Sequence, residues 1–190
     1  NITAINPNIH LFPDFLENLK SSPYINEPCI KSYFYIVSMM LQPDDEVFFQ
    51  NAKEILEKNY DSFTTQELNT IYIYLKNYCI DTKINNGKSE YFDELFDIFK
   101  TLLEKEINFV DGMLDPRDYK NIVTVGLHIK EFDWTEKFIQ NYTTRLPRES
   151  QDNDLSYNLA KVYFHKEDYQ KVIEQLREVK YKNLSYTMGG

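Results

Sequence analysis

The sequence predicts an all-α protein made of tandem helical hairpins, and three observations carry that reading. Strand signals are scarce: the 190 residues hold five glycines, and Asn-Gly or Asp-Gly turns occur only at residues 84–89 (INNGKS) and 110–113 (VDGM). Apolar residues recur at intervals of three and four rather than two, which gathers them on one face of a helix. Polar turns, most of them short, break the pattern between successive helices.

After an extended opening, NITAINPNIH, a first helix is expected from Pro13 or Asp14 to Lys20, with Phe15, Leu16 and Leu19 as its apolar stripe. SSPYINEP ends it, since proline has no amide hydrogen and a fixed φ. A helix over 28–41 opens on Pro28 and sets Cys29, Tyr33, Ile36, Val37 and Met40 on one face. Pro43 and Asp44 restart the chain as DDEVFFQNAKEILEKNY, which completes a hairpin over 28–60. A second hairpin spans 64–106. Thr64 or Thr65 approaches an N-cap before QELNTIYIYLKNYCI, a polar turn covers 81–88, and Phe92, Leu95, Phe96, Phe99, Leu102 and Leu103 then keep helical spacing. The third, over 115–147, joins DPRDYKNIVTVGLHIKE to DWTEKFIQNYTTRLP, and the fourth, over 153–183, contains DLSYNLAKVYFHKEDYQKVIEQL. Length and apolar content suit one continuous core, so a single domain over 1–190 is expected. Tandem helical hairpins of this kind are the signature of a solenoid.

A repeat of 34 residues aligns Gly126 with Ala160 and Ile129 with Tyr163, while Trp134 and Tyr169 stand 35 apart. On these residues the chain resembles a tetratricopeptide repeat, most clearly over 121–184. Leu159, small Ala160 and Tyr163 fill the family's first-helix pattern, Asp168 and Tyr169 its turn, and Val172, Leu176 and Val179 its second helix. Ser156, Val172 and Val179 depart from it, as do Lys137 in the preceding unit and the missing proline near Leu184. The resemblance implies a right-handed α-α superhelix whose inner groove is lined by the first helix of each hairpin. On the best-matching unit that face would comprise Asp154, Tyr157, Asn158, Lys161, Phe164 and His165. Asn158 would both donate to and accept from a peptide backbone, and Lys161 would meet a carboxylate. The corresponding places one unit earlier are Thr124 and Leu127, so a complete carboxylate clamp is missing.

With 30 acidic and 21 basic residues the net charge is -9, and a pI near 4.9 argues against nucleic acid or an anionic membrane surface as partner. The longest apolar run, residues 33–41 (YFYIVSMML), is too short to span a bilayer. Beginning at Asn1, the sequence reads as a piece of a longer protein. Cys29 and Cys79 lie in apolar helical patterns and make no CxxC motif; whether they pair, and the compartment, stay undecided.

The three histidines, His10, His128 and His165, form no metal-ligand spacing. His128 and His165 stand at matching points of successive hairpins. Facing one another across the groove they would make a pH-sensitive patch; a partly exposed, non-catalytic pair is the plainer reading. No GxGxxG, phosphate-binding loop or GxSxG occurs, and acidic pairs such as Asp44 and Asp45 suit helix starts. RLPRES and KYKN are too short for a nucleic-acid stripe, and the sequons at Asn1, Asn141 and Asn183 matter only in a glycosylating compartment. No enzyme, cofactor or metal is therefore expected. The expectation is a scaffold that binds a protein or peptide segment in its groove. The alternative is a structural or oligomerisation domain, a homodimer included, packing on itself or on its own segment 1–12.

Overall fold

Helix starts follow the local chemistry of the chain. Thr64 accepts the amide of Glu67 at 3.2 Å while the Glu67 carboxylate accepts the amide of Thr64 at 2.8 Å, so two unpaired donors at the start of one helix are satisfied reciprocally. Pro28 and Pro116 occupy first helical positions, where the missing amide hydrogen costs nothing. The computed structural model describes residues 12–179, which hold nine α-helices and one two-stranded ribbon. They divide into two compact units, one ending at Asn86 and one starting at Gly87. The extended opening, Asn1, His10, Asn183 and the Leu184 end of the last repeat lie outside the described residues.

The first unit contains α1 (Phe12–Lys20), α2 (Pro28–Leu41), α3 (Val47–Lys58) and α4 (Thr65–Asn77). α2 packs on α3 and α4 around Ile36, Met39, Phe49, Ala52, Leu56, Ile71 and Leu75. Ile36 alone of the expected α2 stripe is buried; Met40 is exposed, and Ser32, Phe34, Ser38 and Met39 join Ile36 inside. The reason is that α2 is apolar almost all round, so periodicity could not choose its inward face. Likewise Leu16 is buried in α1 but Phe15 is exposed.

The polar stretch 81–88 is only partly a turn. α4 runs on into a π-helical turn, Tyr78–Lys83, followed by a 3-10 turn, Ile84–Asn86. Tyr78 stacks on Phe49 with ring centroids 5.0 Å apart and donates its hydroxyl to the Pro43 carbonyl at 2.9 Å. Lys83, its side chain buried, pairs with Glu46 at 2.9 Å. A buried ammonium needs such a partner, which is why a residue read as loop is held inside. Both cysteines are free thiols. Cys29 Sγ donates to Glu67 Oε1 at 3.3 Å; burial, with Glu67 adding to it, pushes this thiol above its ordinary pKa.

The division between units falls inside the hairpin expected over 64–106, with α4 in the first and α5 (Tyr91–Glu104) in the second. The helical spacing of α5 buries Leu95, Phe96, Phe99, Leu102 and Leu103, and the helix packs on α6 (Pro116–His128). Between them β1 (Phe109–Val110) pairs antiparallel with β2 (Met113–Leu114). Asp111 and Gly112, at φ 52° and 75°, make the two-residue turn that Asp-Gly favours. Strands of two residues are too short to show alternation in sequence.

α7 (Phe132–Tyr142) returns along α6. The two helices approach closely at Gly126, where a Cβ would collide with Thr135 Oγ1. At the far end of the pair the Tyr119 hydroxyl meets Thr143 Oγ1 at 2.8 Å, both residues buried. Thr143 gives its own proton to the Ile139 carbonyl at 2.6 Å, so Tyr119 is the donor. α8 (Gln151–His165) then packs across α6 and α7, and α9 (Tyr169–Glu178) returns along α8.

The two hairpin turns are the same. Lys130 and Glu167 both take left-handed backbone, at φ 64° and 61°. The amides of Glu131 and Asp168 each reach back five residues, to the carbonyls of Gly126 and Tyr163, at 2.9 Å. The turns are thus 37 residues apart, not 34. This corrects the expected alignment: Gly126 corresponds to Tyr163, Thr124 to Lys161 and Leu127 to Phe164, and Phe132 rather than Trp134 to Tyr169.

Gly126→Ala is expected to lower the unfolding free energy by about 1–3 kcal/mol, the cost of overpacking a close helix approach. Adding Thr135→Ala should recover part of that loss in urea titrations, because the colliding group is then gone. An unchanged midpoint for the single variant would show that α6 and α7 separate without cost.

Candidate functional site

The α8/α9 hairpin differs from the rest of the second unit in what it leaves open. One face of α8 is buried through Ser156, Leu159, Ala160, Val162 and Tyr163, yet α9 has no buried residue. Tyr169, Ile173 and Leu176 are 57, 55 and 44% exposed, and Phe164 on α8 is 59% exposed. Tyr157, Ala160, Lys161, Phe164 and His165 of α8 face Val172 and Leu176 of α9 across a cleft of about 220 Å³.

The walls are largely apolar, and Lys161 is the one lysine among them. The Lys161 ammonium lies 5.8 Å from the centre of the Tyr157 ring, and it has no carboxylate partner among the described residues. Burial, and then the neighbouring Lys120 charge, hold it below the ordinary lysine pKa. A cation so placed is incompletely compensated, and an arriving carboxylate would relieve it.

Four of the eight residues expected in a groove, Tyr157, Lys161, Phe164 and His165, are therefore together at one cleft. Asn158 is not among its walls: it is buried, and its amide donates to the Asp154 carbonyl at 2.8 Å. Thr124 is exposed on α6 and donates its hydroxyl to the Lys120 carbonyl at 2.9 Å. Leu127 is buried at 5% exposure and belongs to the core rather than to an open surface. Val172 and Leu176 line the cleft together with the buried Ala160, and nothing in their sequence signals that α9 would leave its apolar side chains exposed. His128 and His165 each stack on a phenylalanine, Phe92 at 3.6 Å and Phe132 at 5.8 Å between ring centroids.

The base of the cleft helix is fixed from α7. Lys166 pairs with Asp133 at 2.7 Å and with Glu136, and Tyr163 donates its hydroxyl to Glu136 at 2.9 Å. The Lys166 hydrogen bond is the main cause that holds the Glu136 carboxyl below its ordinary pKa, against a smaller opposing effect of burial. In the first unit a larger hollow, about 310 Å³, borders Lys31, Tyr35, Asn51, Glu54 and Lys58, but its walls are polar and Glu54 and Lys58 pair with one another at 2.7 Å.

Among the described residues no group of His, Cys, Asp or Glu is arranged to hold a metal ion, and no helix is long and apolar enough to cross a membrane. No protein-family model, no curated protein and no solved structure matches the chain.

Glu136→Gln is expected to cost about 1–2 kcal/mol at pH 7, since it removes the charge of a hydrogen-bonded, mostly buried pair. Because folding lowers this carboxyl's pKa, its stabilisation is present above the unfolded value of about 4.5 and is lost as pH falls through the folded value. The gap in urea midpoint between parent and variant should therefore narrow as pH falls below 4.5; a gap unchanged from about pH 7 to about pH 2 would contradict the assignment. Leu176→Asp, at an exposed site, should change stability by less than about 0.5 kcal/mol.

Proposed function

We propose that this chain is a protein-interaction module, a right-handed superhelix of tetratricopeptide-like hairpins, that holds a segment of a partner protein. The observation that carries the reading is the α8/α9 cleft. Aromatic and aliphatic side chains surround a lysine without a carboxylate, and α9 offers Ile173 and Leu176 to solvent. Exposed aromatic and aliphatic groups around a single polar anchor are what interface centres are made of. The tetratricopeptide likeness supports the same reading through Leu159, Ala160, Tyr163, Asp168 and Tyr169. The catalytic motifs sought in the sequence are missing from it, so the reading is of a binder rather than a catalyst. The exposed row Tyr169, Ile173 and Leu176 also suits a second reading, self-association into a homodimer.

Affinity capture from lysate of the source cells, with the parent beside a Lys161→Glu, Leu176→Glu variant of unchanged helicity, decides between them. A protein retained by the parent and reduced about tenfold or more with the variant is the expected result. Equal retention by both would remove the cleft from the function. A concentration-dependent dimer in sedimentation, abolished by the same substitutions, would establish the homodimer instead.

A further inference from the structure

The occupied hairpin of the second unit tells what the open one lacks. In the 37-residue register, Val123, Leu127, Thr135 and Ile139 of α6 and α7 correspond to Ala160, Phe164, Val172 and Leu176. The first four are buried at 0, 5, 0 and 0% exposure, and α8, a single helix, packs across both α6 and α7. Phe164 and Leu176 are exposed at 59 and 44%. The same wedge is thus built twice; the first is closed, and of the four residues in the second only Ala160 is buried.

Charge separates the two wedges. Thr124, a neutral hydroxyl, stands in the first where Lys161 stands in the second. Lys161 lies against Tyr157, half-buried and without a carboxylate, so the second wedge selects a group that α8 does not need to carry. One ammonium in an apolar wall matches one carboxylate; a polyanion would also meet the net charge of -9 over the chain. α9 has ten residues, about 15 Å of helix, so roughly three turns of a partner suffice to cover it.

We propose that the α8/α9 cleft receives one amphipathic helix of a partner protein, its apolar stripe on Phe164, Val172 and Leu176 and an Asp or Glu beside the stripe on Lys161. This rests on the interaction reading above and narrows it. Helix-in-groove recognition places anchors at successive turns, as α8 does on its own neighbours. The acidic residue fixes the direction and register of the helix, since reversing it would set the carboxylate against apolar wall.

Two displayed peptide libraries, one of stapled three-turn helices and one of proline-containing extended peptides, are selected against the immobilised intact chain. Both libraries randomise four apolar positions and one flanking position among Glu, Gln and Lys. The expected result is enrichment from the helical library with Glu at the flanking position. Lys161→Gln should then weaken binding about tenfold, and Lys161→Glu should turn the preference to Lys. Leu176→Asp, at an exposed position, should abolish binding while leaving the circular dichroism unchanged. Helices enriched without an acidic preference and indifferent to Lys161→Gln would overturn the proposal. Enrichment from the extended library alone would overturn it too, yet leave the interaction reading standing. Binding from neither library would end both.

Discussion

Everything in the second unit follows from how its helices stop. Three of them, α5, α6 and α8, end on a residue in left-handed backbone, Glu106, Lys130 and Glu167. In each case the next amide turns back to a carbonyl five residues earlier, Ile107 to Leu102, Glu131 to Gly126 and Asp168 to Tyr163. Left-handed backbone costs a side-chain-bearing residue about 1–2 kcal/mol; here the cost is offset by pairing amides and carbonyls that a helix end leaves orphaned. Because the reversal is so tight, α7 and α9 must lie along the helices they follow.

That constraint places the side chains that matter later. A return as close as that of α7 leaves no room for a Cβ at position 126, and the Tyr119–Thr143 hydrogen bond ties the other end of the pair. α8 is then held by Lys166 between Asp133 and Glu136, with Tyr163 bonded to Glu136. α8 is thereby fixed on one face, and its other face, with α9, forms the cleft. In the first unit, polar groups do comparable positioning inside the core: Lys83 with Glu46 and Tyr78 with Pro43 hold the continuation of α4, at the desolvation cost that buried charge carries.

The proposed binding role draws on this division of labour. A face that packs and a face that stays open occur on the same helix, and the open one combines Phe164 with a half-buried Lys161. Apolar area supplies affinity, and the single charge supplies selectivity, since a neutral or basic residue opposite Lys161 leaves an uncompensated cation.

The sequence by itself determined the helices. Proline at 28 and 116, the Thr64 cap and apolar spacing in α5 are local signals, and local signals act through backbone geometry that a few neighbouring residues set. The candidate site was legible to the same extent: Tyr157, Lys161, Phe164 and His165 share a helical face whatever packs around them. Tertiary structure alone decided the rest. It chose the inward face of α2, moved the hairpin register from 34 to 37, turned Asn158 and Leu127 inward and left Leu176 outside. Burial depends on what lies across from a side chain, and one helix's periodicity holds no record of its neighbour.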